Sequence, residues 1–192
     1  GMALTNKADL ADKLFRLRTH GITSDDHKMK KRSENEIWNY QQIELGLNYR
    51  MNDIQAALGL NQMKRLDKII SRRHDIAKKY DLELGELSIT TPWQNPNFHS
   101  SYHLYNILVA NESNFKNQRQ VYDVLREKGI SVNLHYIPVH RQPYYENLGF
   151  KKNDFPVAEK FHQETISIPM YASLKDEDQD FVIDNIKKVM SE

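Results

Sequence analysis

The sequence predicts an α/β protein in which a long helix leads into a compact layer of strands and helices. Three observations predict it. From Asp53 to Leu84 there is no proline, and Ala56, Gly59, Met63, Leu66, Ile70, Arg73, Ala77, Tyr80 and Leu84 fall in steps of three and four, the spacing of one apolar helical face. From Tyr102 onward, strand-like and helix-like patterns alternate. With 39% hydrophobic and 10% aromatic residues among 192, the chain has material for a core in spite of a mean hydropathy of −0.74.

The chain opens with a short helix over Asp9 to Arg18, where Leu10, Leu14 and Leu17 share a face and Gly21 supplies a stop. Residues 23–39 are almost wholly polar, with Lys28, Lys30, Lys31 and Arg32 beside Asp25, Asp26, Glu34 and Glu36, and read as an exposed loop. The seam from Asp53 to Leu84 predicts one long helix, or two in line, too long for one small domain to cover. Pro92 and Pro96 then impose a turn. Residues 102–109 read as a strand, and 117–128, closed by Gly129, as a helix with Val121, Val124 and Leu125 inward. Ile130, Val132, Leu134 and Tyr136 alternate with Ser131, Asn133 and His135, which predicts a half-buried strand with one polar face. A helix over Pro156 to Glu164, a strand over Thr165 to Met170 and a terminal helix over Asp176 to Met190 complete the layer. The last carries Asp176, Glu177 and Asp178 in its first turn and Lys187 and Lys188 near its end, as the helix dipole favours.

Charge and cysteine content narrow the function. A net charge of +1, from 27 basic and 26 acidic residues, gives no field to hold a nucleic acid or an anionic membrane. The lack of cysteine removes disulfides, zinc-thiolate sites and thiol nucleophiles, and with no apolar run that would span a bilayer it gives the expectation of a cytoplasmic protein. No glycine-rich phosphate loop and no nucleophile elbow is present.

Two segments remain as candidates. His135-Tyr136-Ile137-Pro138-Val139-His140, followed by Gln142, Tyr144 and Tyr145, gathers donors, acceptors and rings that suit a hydroxylated ligand; an ordinary strand-to-loop corner is the alternative. His135 and His140 lack a nearby third ligand for a metal. In Leu45 to Asp53, Asn52 or Asp53 can cap the long helix, which sets Asn48 and Arg50 on a loop beside a positive helix end, where anions bind; a simple capping loop with a surface arginine accounts equally for the pattern.

Together, LGLNYRMNDIQAALGL (45–60), SYHL (101–104), GISVNLHYIPVHRQPYY (129–145) and Ile168-Pro169-Met170-Tyr171 resemble the DegT/DnrJ-type nucleotide-sugar aminotransferases, fold-type I enzymes that use pyridoxal 5′-phosphate (PLP). The HYIPVHRQPYY stretch is most similar to the branch that aminates UDP-4-keto-6-deoxy-N-acetylhexosamines in the pseudaminic-acid pathway.

The resemblance implies a C-terminal small domain with a mainly antiparallel sheet covered by helices (87–192), a long inter-domain helix (53–86), and a remnant of the large PLP-binding domain with its active-site loop (1–52). Residues 1–6 resemble the strand that shortly follows the family's Schiff-base lysine. No lysine here matches that position, so no catalytic residue is assigned, and the chain by itself is expected to be inactive with no covalently bound cofactor. By family position, Asn48 would reach the PLP phosphate of the neighbouring subunit and Arg50 the substrate's diphosphate, while His135, Tyr136 and His140 would approach the sugar. The complete enzyme would be a homodimer passing an amino group, usually from glutamate in this family, to the 4-keto group of a UDP-sugar for cell-surface polysaccharide or flagellar glycan. The alternative is a stand-alone, non-catalytic nucleotide-sugar-binding or dimerisation domain.

Overall fold

The computed structural model describes residues 2–33, 35–36, 40–110 and 116–191. Its contacts divide the chain into two units, Gly1–Lys64 and Arg65–Glu192.

The first unit contains helix α1 (Ala8–Leu17), strands β1 (Ile22–Thr23) and β2 (Gln41–Gln42), which pair antiparallel, and helix α2 (Asp53–Met63). Gly21 ends the α1 region as expected. Its N–H returns to Arg16 O, its φ is +70°, and a Cβ there would lie 1.9 Å from Glu44 O, so only glycine fits. The segment after β2 runs back along the end of α1, with Leu47 N–H donating to Leu17 O, His20 N–H to Leu47 O and Tyr49 N–H to Arg18 O. The lysines of the polar loop are exposed or paired, Lys28 with Asp12 at 2.7 Å. Glu34 and residues 37–39 of that loop, like Gly1, lie outside the described residues. Asn52 caps α2 by accepting from Gln55 N–H while the Gln55 side chain accepts from Asn52 N–H. No apolar residue described in this unit is buried.

Where a single long helix or two in line was expected, there are two helices. α2 ends at Met63 and α3 (Leu66–Leu84) begins after Arg65, whose φ of −110° and ψ of 4° leave the helical region.

The second unit continues with β3 (Ile89–Thr90), β4 (Tyr105–Val109), α4 (Gln118–Glu127), β5 (Asn133–Leu134), a 3-10 turn at Val139–Arg141, α5 (Pro143–Glu146), α6 (Pro156–Glu164), β6 (Thr165–Ile168) and α7 (Asp176–Ser191). The four strands form one antiparallel sheet in the order β3-β4-β6-β5. This is the α/β class expected, with a small antiparallel sheet and helices packed on it. Tyr105, Ile107 and Val109 of β4 and Ile166 and Ile168 of β6 meet Tyr80 and Leu84 of α3, Val121 and Leu125 of α4 and Ile183, Ile186 and Val189 of α7 in one continuous core. β6 is buried at all four positions, so both of its faces are covered.

Three strand boundaries differ from expectation, each for a local reason: the strand expected to reach Met170 ends at Ile168, because Pro169 has no N–H for the ladder. The strand expected from Tyr102 starts at Tyr105, because Tyr102 holds a left-handed φ of +43° and the Arg73 guanidinium contacts the carbonyls of Ser101 and Tyr102. The strand expected over 130–136 pairs only at Asn133 and Leu134, since β5 is an edge strand whose one neighbour is β6. Ile130 and Val132 are buried as the alternation predicts, but Tyr136 has left the sheet and is 95% exposed.

Candidate functional site

The register of the sheet assembles a polar cluster on the face opposite the core residues of β4. Asn106 pairs with Ser167, Ser167 pairs with Asn133, and His135 follows two residues on, on the same face as Asn133. Ser167 Oγ donates to Asn106 Oδ1 at 2.7 Å, and His135 Nε2 lies 2.9 Å from Ser167 Oγ and 3.1 Å from Asn106 Oδ1. Since Ser167 spends its proton on Asn106, both oxygens are acceptors toward the ring. That places a proton on Nε2, so Nδ1 is the ring nitrogen left for a further partner. Phe161 of α6 packs against the same ring, 5.8 Å between centroids.

His135 and Tyr136 line an open cavity of about 790 Å³ together with Ile137, Pro138 and Val139 and, from the other segment, Phe155, Pro156, Ala158 and Phe161. The size is that of a small-molecule site, and the walls are apolar with few polar groups, namely His135, Tyr136, Asp154 and His162. A sugar ring fits such a wall chemically, because its C–H faces lie on rings and its hydroxyls need mixed donors and acceptors.

His140 takes a different place from His135. It is 7% exposed, its ring lies 4.8 Å from that of Phe155, and its Nε2 is 2.8 Å from Glu159 Oε1. Glu159 is equally buried and also accepts from the Asn153 N–H at 2.6 Å. The hydrogen bond from His140 holds the Glu159 carboxyl below its ordinary range, against the opposing effect of burial. A second hollow of about 430 Å³, lined by His140, Tyr145, Phe150 and other apolar groups, shares Pro138, Val139, Phe155 and Ala158 with the first.

Asn48 and Arg50 belong to the first unit. Both are exposed on the segment that leads to the capped N-terminus of α2, and among the described residues neither side chain has a hydrogen bond or ion pair. An amide, a guanidinium and a helix N-terminus within a few residues form the donor set that phosphate groups take. The structure thus groups His135, Tyr136 and His140 in one segment of the second unit and Asn48 with Arg50 in the first. Among the described residues no three His, Asp or Glu side chains cluster as a metal set.

Sequence reasoning missed Asn106, Ser167 and Glu159. The alternation of β4, with Tyr105, Ile107 and Val109 buried, carried a signal for Asn106, and Ser167 between two isoleucines carried the same one. Glu159 carried none, because an acidic residue in the first turn of a helix is expected on the surface.

A sequence profile of the DegT/DnrJ/EryC1/StrS aminotransferase family matches residues 1–187. The chain is 31% identical, over 99% of its length and 48% of the relative's, to the UDP-4-amino-4,6-dideoxy-N-acetyl-β-L-altrosamine transaminase of Campylobacter jejuni serotype O:2. Among solved structures it is similar to the putative sugar aminotransferase Spr1654 of Streptococcus pneumoniae in its PMP form (TM-score 0.84, 29% identity, 100% of this chain and 47% of that one). It is also similar to Helicobacter pylori PseC, an aminotransferase involved in the biosynthesis of pseudoaminic acid (TM-score 0.81, 28% identity, 97% and 47%). The chain spans about half the length of the curated relatives it matches.

Proposed function

The chain belongs to the DegT/DnrJ/EryC1/StrS aminotransferase family, and on that premise we propose that it forms the C-terminal half of a cytoplasmic, homodimeric, PLP-dependent aminotransferase. Its acceptor is the 4-keto group of a UDP-linked 6-deoxy-N-acetylhexosamine, and its amino donor is glutamate. The observation that carries the reading is the cavity at His135 and Tyr136, in a chain aligned almost end to end with a UDP-amino-sugar transaminase.

PLP, when bound, supplies the electron sink through which an amino group passes between carbon atoms. This chain's residues bind and orient. Asn48 would donate its amide N–H to the cofactor phosphate of the neighbouring subunit, and Arg50 would pair with the nucleotide diphosphate through its guanidinium donors. Among the described residues neither side chain has to give up a partner to do so. His135, held by Ser167 and Asn106, offers Nδ1 as an acceptor to a sugar hydroxyl, and Tyr136 adds a phenol at the rim. His140 supports the wall from behind. Residues 1–192 have no transaminase activity of their own in this reading, because none of their lysines matches the family's Schiff-base position.

The test is made in the full-length enzyme. Arg50→Ala weakens UDP-sugar binding by about 1.5–3 kcal/mol, the range for a charged hydrogen bond, with PLP retention unchanged. Asn48→Ala lowers PLP retention, and His135→Ala raises KM for the sugar. Native affinities for PLP and the UDP-sugar in all three variants would remove the assigned roles. A second reading, a non-catalytic nucleotide-sugar-binding or dimerisation domain, draws on the complete core within residues 65–192. It requires a UDP-sugar to bind the 192-residue chain tightly without PLP, which calorimetry measures directly.

A further inference from the structure

Glu159 is the one buried carboxylate among the described residues, and the proposed transfer gives it no task. Its place in the fold is informative. It sits one turn into α6, and a single oxygen, Oε1, receives both His140 Nε2 and the backbone N–H of Asn153. His140 belongs to the 3-10 turn that follows Pro138. Asn153 stands in the turn before α6, in a left-handed conformation with φ +73° that asparagine adopts more readily than most residues. Glu159 therefore joins three segments through one atom.

Those segments carry the two sides of the cavity. Pro138 precedes and Val139 begins the turn that His140 anchors; Asp154, Phe155 and Pro156 follow the turn that Asn153 anchors. The charged and titratable groups around the carboxylate are His140, Arg141 and His162, and Arg141 is itself paired with Glu146 at 2.9 Å. No second carboxylate competes for His140 Nε2 among the described residues.

We propose that Glu159 is a positioning residue that fixes the spacing of the cavity walls by clamping His140 to Asn153, and so sets how tightly the sugar is held. The role rests on the reading of the cavity as the sugar site, but the clamp itself is testable without a ligand. A glutamine keeps an acceptor oxygen of the same reach, whereas alanine removes the acceptor from both the buried His140 ring and the partly buried Asn153 N–H.

Two measurements decide it, hydrogen exchange on the 192-residue chain and a sugar titration of the full-length enzyme. In hydrogen exchange, Glu159→Ala speeds the amides of Asn153 and of residues 139–142 by about tenfold or more, the amides of β4 and β6 stay protected, and Glu159→Gln restores most of the protection. In a UDP-N-acetylglucosamine titration, Glu159→Ala raises Kd by about tenfold and Glu159→Gln by much less. Native exchange at Asn153 in Glu159→Ala overturns the clamp. So does slowed or faster exchange spread evenly over the sheet, which would mark a general loss of stability. If the full-length enzyme does not take up UDP-N-acetylglucosamine, the sugar reading fails while the exchange result still decides the clamp. If it binds and Glu159→Ala binds equally well, the sugar reading stands and the positioning role falls.

Discussion

Asn52 and Asn117 cap their helices in the same way, each accepting from the N–H three residues on while a glutamine returns the bond. Yet α4 buries Val121 and Leu125, and α2 buries nothing. The contrast holds across the two units. All the buried apolar residues described lie between Ile76 and Met190, whereas Ile54, Leu58, Leu60 and Met63 of α2 are exposed, as are Leu45, Leu47, Tyr49 and Met51 before it. Capping fixes where a helix begins; burial decides whether that helix contributes to global stability. An apolar surface of this extent on one unit is the kind that proteins use for contact with another body.

The largest expected effect breaks or upholds this contrast directly. Leu125→Ala opens a cavity in the core and costs about 3 kcal/mol in urea unfolding, whereas Leu58→Ala stays within about 0.5 kcal/mol. Equal losses would mean that α2 unfolds with the core. A smaller effect sharpens the same point: Asn117→Ala lowers the global midpoint by the equivalent of about 1 kcal/mol, while Asn52→Ala frays α2 in amide exchange and leaves the midpoint in place. A midpoint shift of similar size in both variants contradicts it.

The smallest effect concerns pH and also sets the units apart. Glu159 is held below its ordinary value of 4.5 chiefly by the hydrogen bond from His140, so near that pH the unfolded chain binds more protons than the folded one. Its contribution is complete above about 4.5 and is lost as the pH falls through the lower folded value. Asp12 in the first unit is lowered by Lys28 and Arg16, but it is exposed and its pairing is screened by salt. Thermal melts from pH 7 to pH 3 in moderate salt are expected to show a flatter acid limb in Glu159→Gln and a native one in Asp12→Asn. The reverse pattern would place the acid-sensitive contact in the first unit.

Much of the second unit was legible from residue order. α6 runs over the nine residues read from Pro156 to Glu164, and α7 differs by one residue at its end, because proline at the first turn and a dipole-matched charge pattern are local signals. The break at Lys64–Arg65 was not legible, since the three-and-four spacing continues through it. Nor could the seam say what it faces: Ala77, Tyr80 and Leu84 enter the core, and Met63 stays in solvent. In the candidate site, His135 was placed on the polar face by alternation, and its partners Asn106 and Ser167 became visible only through strand register. The burial of His140 depends on Glu159, a contact across 19 residues for which no local pattern exists.

The whole cavity wall, residues 135–164, leaves the sheet at β5 and returns at β6, and these two strands are hydrogen-bonded neighbours, with Leu134 opposite Ile166. Its ends are therefore tied within one strand spacing by backbone bonds that do not depend on what the excursion contains. Closing a longer or shorter loop across fixed ends changes the chain entropy only slowly with length. The fold thus treats the pocket as an exchangeable cassette: its residues and even its length can drift while the sheet beneath keeps its packing. A change of ligand would be written first in this stretch, and the core would carry little record of it.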